Sequence, residues 1–352
     1  MRPILRTTLA WQYMRRVINA LSKPIGTLVC VVTIGMLSGR ILLRMDAADA
    51  IDAEQVLSTI PIAVKLFLFM MLTSGGFLLP LGSVEPERSA SPNRFGIAPI
   101  GSFASTATAV FLPILLLLIL AGVIRVIAGS VVAIGMMILA LSPIANSSIG
   151  WAFVTENDSR LLKLAMRLLL LSWAIPVIAF GLIFNFGQPS EAIVSVMEFS
   201  FLSLMAFAVG VFLRVATRTA KRTATWAHSF GLIGLLGLNF CAGVHLGFQR
   251  DLMSHWPNVA MGITAPLLCW IVASAIFSDR DAGDRRVLIR AATMKNTGLT
   301  TAAAMNMQAA SESLPDAVAM MLVATIVQHV LAAHSHQRWT TTSQSGSRMS
   351  PR

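Results

Sequence analysis

The sequence predicts an all-α polytopic membrane protein with ten transmembrane helices in two inverted five-helix repeats. The prediction depends on composition, on the spacing of apolar segments and on matched interruptions in two of them. Of the 352 residues, 55% are hydrophobic and only 12% are charged, against about 25% charged in an ordinary soluble domain. This composition argues against a soluble globular enzyme.

Ten apolar segments, numbered as spans 1 to 10, are each long enough to cross a bilayer, which takes about 20 mostly apolar residues. A basic arm, 1–23, precedes them and lacks a small-residue cleavage site, so we interpret it as a cytoplasmic arm and not as a signal peptide. The tail, 334–352, is rich in Ser, Thr and Arg and is predicted to be disordered. The transmembrane domain covers 24–333, with spans at 24–43, 56–81, 97–121, 126–154, 160–186, 192–213, 225–248, 257–277, 287–310 and 315–333.

The basic residues indicate which side of the membrane each connection faces. With the N-terminus inside, 21 of the 27 Lys and Arg residues fall on the cytoplasmic side and 4 on the other side, while Lys65 and Lys295 lie within spans. Positive residues concentrate in cytoplasmic loops, so we predict that both termini are cytoplasmic and that the protein lies in a bacterial plasma (inner) membrane. The same distribution accounts for the formal charge of +11 without a nucleic-acid partner.

Patterns typical of enzymes are missing from the sequence. It contains no nucleophile motif, no phosphate-binding glycine loop and no metal-ligand spacing of Cys or His. Glu198 is the only carboxylate well within a span, so paired carboxylates at depth are missing as well. We therefore predict that the protein is not an enzyme and has no cofactor.

Spans 4 and 9, each the fourth of a five-helix repeat, are interrupted by polar and helix-breaking residues. The interruptions cover 141–148 (Leu-Ser-Pro-Ile-Ala-Asn-Ser-Ser) and 294–301 (Met-Lys-Asn-Thr-Gly-Leu-Thr-Thr). Broken helices at corresponding positions of two repeats point to a transport site. Unwound backbone at this depth must be buried in protein or line a wet cavity, so we expect a cavity.

The polar residues of the two interruptions are the predicted substrate-binding residues. The half-helix after each interruption directs its N-terminal N–H groups at the cavity, which suits a carboxylate or another anion. The alternative is that Pro143 merely kinks span 4 and that the hydroxyls bond to their own helix. The predicted substrate-binding residues are Asn146, Ser147, Ser148, Lys295, Asn296 and Thr297.

The residues around the interruptions resemble the bile acid:sodium symporter family. Ser142-Pro143, then Asn146-Ser147-Ser148, an acidic turn at Asp158 and Ile175-Pro176 look like that family's fourth and fifth helices. Residues 294–299 look like its ninth-helix signature, Glu-x-Gly-Met-Gln-Asn-Ser-Gly-Leu. The resemblance implies a panel of spans 1, 2, 6 and 7 facing a core of spans 3–5 and 8–10, with the two broken spans crossing in the core.

The family moves organic anions such as bile acids and small carboxylates, usually with sodium, but this chain departs from its sodium ligands. The resemblance implies that Ala291 and Lys295 replace the family's ninth-helix Glu and Gln, and that Ser148-Ile149 replaces a Ser-Asn pair. Since a hard cation needs oxygen ligands, we expect no sodium coupling and expect Lys295 to replace the ion electrostatically.

Lys295 and Arg167 are the predicted coupling charges. Lys295 lies about eight residues into span 9, roughly 12 Å at 1.5 Å per residue, and the alternative is that it snorkels to the interface. The resemblance implies that Arg167 stands near a further sodium ligand of the family. Arg160, Lys163 and Arg167 share one face of span 5, for which anchoring at the cytoplasmic surface is the alternative.

Lys65 and Glu198 are predicted to form an ion pair. They lie about nine and seven residues in from the outer ends of spans 2 and 6, at matching depths of roughly 10 to 14 Å. Ionisable residues within spans usually pair and face the protein interior.

These features predict a secondary transporter of an organic anion, bile acid-like or a small carboxylate, that works by alternating access without sodium. The expected partners are the anion and the lipid bilayer. One alternative is a proton-linked anion exchanger in which Lys295 gains and loses the proton. Another is a membrane sensor or scaffold that kept the fold and does not transport.

Overall fold

The computed structural model describes residues 26–48, 52–77, 100–127, 130–145, 147–148, 159–175, 191–217, 221–248, 256–310 and 316–346. The predicted arm, 1–23, lies outside the described residues. In the described part the chain is helical apart from short connections and one isolated bridge. The helices are α1 (Gly26–Asp46), α2 (Ala53–Phe77), α3 (Ile100–Ile127), α4 (Ser130–Leu141), α5 (Ser159–Ser172), α6 (Glu191–Thr217), α7 (Lys221–Phe248), α8 (Trp256–Ile276), α9 (Ala282–Thr293), α10 (Thr297–Ala310) and α11 (Asp316–Gly346).

Seven helices of the described part are long and apolar enough to cross a membrane, which indicates an integral, polytopic all-α membrane protein. They are α1, α2, α3, α6, α7, α8 and α11. The predicted spans 4, 5 and 9 correspond to the shorter helices α4 and α5 and to the pair α9 and α10. The count of ten spans stays a prediction.

The segment 334–352, which the sequence predicts to be a disordered tail, is mostly helical in the structure, because α11 continues to Gly346. Two contacts with α8 lie where the tail was expected to begin. Trp270 Nε1 donates to Ser335 Oγ at 3.3 Å, and the Trp270 ring meets the His334 ring edge-on at 6.1 Å. These contacts hold the start of this segment against the core, and no Gly or Pro interrupts the helix before Gly346.

Helices α1, α2, α6 and α7 form one packed group, which corresponds to the predicted panel. Glycines bring their backbones close together, as in other membrane helix pairs. A Cβ added to Gly35 or Gly39 of α1 would lie 3.0 or 2.9 Å from the Cα of Gly243 or Gly247 of α7. Two G-x-x-x-G sequences therefore face each other and attach α1 to α7.

The helix directions within the panel agree with the predicted alternation. Phe67 of α2 lies against Gly237 of α7, and Ser74 lies against Gly231, so these two helices are antiparallel. Helix α6 runs parallel to α2, since Lys65 contacts Glu198 near one end and both helices approach closely again at Gly210.

The remaining helices form the core, in which α3 packs on α4, α8 packs on α11, and α9 packs on α3 and α5. Large apolar side chains fill it, with Leu117, Met136, Leu139 and Leu168 almost wholly buried. The core meets the panel mainly through α10, which contacts α6, α2 and α7. At that contact, a Cβ on Gly298 would lie 3.0 Å from Met71 Cε and 3.3 Å from Leu238 Cδ2.

Candidate functional site

The two interrupted helices meet in the core, as the resemblance implies. Helix α4 ends at Leu141 and α9 ends at Thr293, and the segments 142–145 and 294–296 pair as a short antiparallel bridge centred on Ile144 and Lys295. Ala145 N donates to Met294 O at 2.9 Å, and Asn296 N donates to Pro143 O at 2.8 Å. We call these two segments the crossing.

Local sequence explains why α4 stops at the crossing. Pro143 has no N–H to donate and disfavours helical geometry at Ser142. The Ser142 hydroxyl donates back to Leu139 O at 2.9 Å and satisfies one of the last carbonyls of the helix. Helix α9 ends at Thr293 without a proline. Its C-cap, Met294, has an extended backbone (φ −91°, ψ 97°), and the Met294 N–H still bonds to Arg290 O.

The N–H groups of the two central residues, Ile144 and Lys295, do not bond to the opposite segment of the bridge. A side chain accepts a hydrogen bond from each of them. Ile144 N donates to Ser172 Oγ of α5 at 3.0 Å. Lys295 N donates to Gln328 Oε1 of α11 at 3.0 Å. Buried backbone groups need such partners, so the crossing is held by the last helix of each predicted repeat.

The Lys295 side chain turns inward and does not snorkel, since only 3% of the residue is exposed. Its Nζ lies 3.4 Å from Ala140 O and 3.4 Å from Ser142 O, at the carboxyl end of α4. The unsatisfied carbonyls there carry partial negative charge. A fixed cation therefore occupies a position lined by main-chain oxygens, which are groups that ordinarily bind cations.

Asn296 and Thr297 form the start of α10. Leu299 N donates to Asn296 Oδ1 at 3.2 Å, so Asn296 is the N-cap of this helix. Thr297 Oγ1 accepts a hydrogen bond from Gln328 Nε2 at 3.0 Å. Asn296 Nδ2 is buried and has no hydrogen-bond partner in the described part of the chain, which leaves one amide donor available at the N-terminus of α10.

The other predicted substrate-binding residues lie just beyond the first segment of the crossing. Ser148 is buried, its N–H donates to Ala145 O at 2.9 Å, and Ser147 is half-buried. Asn146 lies outside the described residues. Because Lys295, Asn296 and Thr297 are buried too, and α10 packs on the panel at Gly298, the crossing is closed in this arrangement.

The structure does not bring Arg167, the other predicted coupling charge, to the crossing. Its side chain is exposed on α5, whereas Leu161, Ala165, Leu168 and Ser172 form the buried face of that helix. Arg167 shares its exposed face with Arg160, which bonds to Asp284 Oδ1 at 3.1 Å. Helical periodicity predicts that these basic residues share one face of α5. Because the apolar face of the helix is buried in the core, the basic face points outward.

The predicted contact between Lys65 and Glu198 is present, with Lys65 Nζ 2.7 Å from Glu198 Oε1. The two side chains are 40% and 50% exposed, so the pair lies at the surface of the panel and not inside it. The Lys65 ammonium also lies 5.7 Å from the centre of the Phe199 ring, which adds a cation–π contact.

Gln328 and Ser172 are the site residues that sequence reasoning missed. Each is a buried polar residue, Ser172 after a run of four leucines in α5 and Gln328 after Ile326-Val327 in α11, and a buried polar residue beside apolar ones is the signal that could have found them. In the described part of the chain, no group of three or more His, Cys, Asp or Glu side chains could hold a metal ion.

The chain matches no family model, and a comparison with curated proteins finds no match. The resemblance to the bile acid:sodium symporter family therefore depends on the sequence motifs of spans 4, 5 and 9 alone.

Proposed function

We propose that this chain is a secondary transporter of an organic anion, related to the bile acid:sodium symporter family, that works by alternating access without sodium. The observation that carries the proposal is the crossing of two interrupted helices around a buried lysine. Lys295 Nζ lies 3.4 Å from two main-chain oxygens at the end of α4. A helix interruption is costly in a membrane and is retained mainly at transport sites.

The position of the Lys295 ammonium supports sodium-independent transport. A sodium ion 4 Å from it would meet a repulsion of about 4 kcal/mol at an effective dielectric constant of 20. That energy corresponds to a loss of nearly a thousandfold in affinity. The ammonium supplies in fixed form the positive charge that a coupling ion would bring.

Two features at the start of α10 favour an anion as the substrate. The N-terminus of a helix carries partial positive charge, and Asn296 Nδ2 is a buried donor without a hydrogen-bond partner in the described residues. A carboxylate or sulfonate would accept from this donor and gain from the field of Lys295. Access requires the panel to separate from α10 near Gly298, and that movement is the proposed alternating step.

The arrangement of helices supports inverted repeats of five. In each predicted repeat, the last helix holds the central residue of an interruption, through Ser172 on Ile144 N and through Gln328 on Lys295 N. Panel and core are each packed internally and meet mainly through α10. Two bodies with a limited contact can rock against each other.

Proton-linked exchange is a second candidate, because the hydrogen-bond acceptors of Lys295 Nζ are the neutral carbonyl oxygens of Ala140 and Ser142 and not a carboxylate. Loss of its proton would therefore leave no buried negative charge behind. Uptake driven by an imposed pH gradient, and lost in Lys295→Gln, would favour this mechanism over uniport.

The test begins with a thermal-shift screen of carboxylates and sulfonates, including taurocholate, on the purified protein. Uptake of the best ligand into proteoliposomes is then compared between the parent, Lys295→Gln and Lys163→Gln. Lys163 is an exposed lysine on α5 and serves as the matched control. We expect Lys295→Gln alone to weaken binding and uptake. Failure of every anion to stabilise the protein or to enter the vesicles would reject the proposal in favour of a sensor or scaffold.

A further inference from the structure

The Gln328 carboxamide makes two hydrogen bonds to the second segment of the crossing and one to Thr297, the first residue of α10. Its Oε1 accepts from Lys295 N at 3.0 Å, and its Nε2 donates to Lys295 O at 3.1 Å and to Thr297 Oγ1 at 3.0 Å. Only 1% of Gln328 is exposed. The side chain therefore pairs with both backbone groups of Lys295, as a neighbouring peptide group would in a sheet.

These bonds complete the hydrogen bonding of the central residue of the interruption. The first segment of the crossing pairs with the neighbours of Lys295, through Met294 O and Asn296 N, and leaves the N–H of Lys295 to Gln328 alone. The Lys295 carbonyl accepts from Thr297 N at 2.8 Å and from Gln328 Nε2 as a second donor. Buried backbone groups without partners cost several kcal/mol each in hydrocarbon. A carboxamide can donate and accept at once, whereas a carboxylate only accepts and an apolar side chain does neither.

We infer that Gln328 is a positioning residue that fixes the Lys295 backbone and so keeps its ammonium on the carbonyl end of α4. The inference deepens the proposed function, because Lys295 is the charge that replaces the coupling ion there. It also connects α11 with the start of α10, the core helix that meets the panel. Movement of α11 along its axis would shift Lys295 and Thr297 together.

The chain offers a matched control for this role on the same helix. Thr325 lies one turn before Gln328, is also buried, and its hydroxyl donates to Met321 O within α11 at 2.8 Å. Thr325→Val therefore removes a buried hydrogen bond of α11 without touching the crossing. Gln328→Met keeps the length and approximate volume of the glutamine and removes all three bonds.

The experiment follows the position of the Lys295 amine directly and does not depend on transport. Purified protein is treated with formaldehyde and dimethylamine-borane, and methylation of each lysine is followed by mass spectrometry. The exposed Lys163 gives the rate of an accessible amine. We expect Lys295 to be protected in the parent and in Thr325→Val, and its rate relative to Lys163 to rise about tenfold or more in Gln328→Met, given the worth of the lost hydrogen bonds.

A merely structural role would give a different result. In that case Gln328→Met and Thr325→Val would lower the unfolding temperature and raise Lys295 methylation alike, and this outcome would overturn the inference. Unchanged Lys295 protection in Gln328→Met would overturn it as well. If Gln328→Met does not fold, Gln328→Glu takes its place, since it retains the acceptor for Lys295 N but directs an oxygen at Lys295 O.

Transport adds a second readout if an anion is moved. In the parent background, Gln328→Met should raise KM for that anion about tenfold with a smaller change in kcat, because displacement of the Lys295 ammonium weakens binding. In a Lys295→Gln background the same change should leave KM unaltered, since the two residues act as one unit. Additive effects on KM would contradict action through Lys295. Absence of transport would reject the proposed function and leave the methylation result to decide the role of Gln328.

Discussion

Replacing Glu198 by Ala removes the carboxylate that lies 2.7 Å from the Lys65 ammonium. Lys65 and Glu198 lie about nine and seven residues in from the outer ends of the predicted spans 2 and 6, at depths of roughly 10 to 14 Å at 1.5 Å per residue. An unpaired lysine at the centre of a bilayer costs about 3 kcal/mol. At this shallower depth we expect Glu198→Ala to destabilise the protein by about 2 kcal/mol.

The double variant Lys65→Ala/Glu198→Ala removes both charges and should cost less than Glu198→Ala alone. Breaking an ion pair leaves an uncompensated charge, whereas removing both members leaves none. We expect a coupling energy of about 1 to 2 kcal/mol between the two positions, above the roughly 0.2 to 1 kcal/mol of pairs in water.

The assay is reversible unfolding of the four proteins of the cycle in bicelles, with free energies compared at one temperature. The ion pair of Arg160 and Asp284, 3.1 Å apart with Arg160 62% exposed, serves as the control cycle and should couple by less than about 1 kcal/mol. The exchanged variant Lys65→Glu/Glu198→Lys should restore most of the lost stability. If the Lys65 and Glu198 effects add within about 0.5 kcal/mol, the pair does not stabilise the contact of α2 with α6.

Two further predictions concern packing and orientation. Gly39→Val should separate α1 from α7 and destabilise the protein by about 2 kcal/mol, as overpacking does, whereas Gly122→Val, which has open space around it, should leave the unfolding temperature unchanged. Equal effects would contradict close packing at Gly39. In a Cys30→Ser background, Ala220→Cys should resist impermeant thiol reagents in intact cells, because the 21 to 4 distribution of basic residues predicts that this connection is cytoplasmic. Rapid labelling from outside would invert the topology.

Features set by local sequence could be predicted well. Apolar length located the helices, because each span must bury about 20 residues of backbone in hydrocarbon. Pro143 located the end of α4, since proline acts on its own and the preceding residue. The contact of Lys65 with Glu198 followed from matching depths, because a charged residue in a span needs a partner at its own level.

Features set by packing between distant helices could not be predicted. The exposed position of Arg167 depends on which face of α5 meets the core, and its periodicity alone allowed either assignment. Gln328 lies 33 residues from Lys295 in the sequence, and a polar residue within a helix does not by itself reveal its partner on another helix. The helical course of 334–346 depends in part on contacts with α8, such as that of Trp270 with Ser335.

In the proposed function, the Lys295 ammonium replaces a coupling sodium ion at the crossing. The most direct measurement is uptake of the anion selected by the thermal-shift screen into proteoliposomes, with sodium replaced stepwise by choline at constant ionic strength. We expect uptake by the parent to be independent of sodium, and Lys295→Gln to bind and transport the anion substantially less well even at high sodium. Saturable stimulation of the parent by sodium, or undiminished uptake by Lys295→Gln, would contradict the claim.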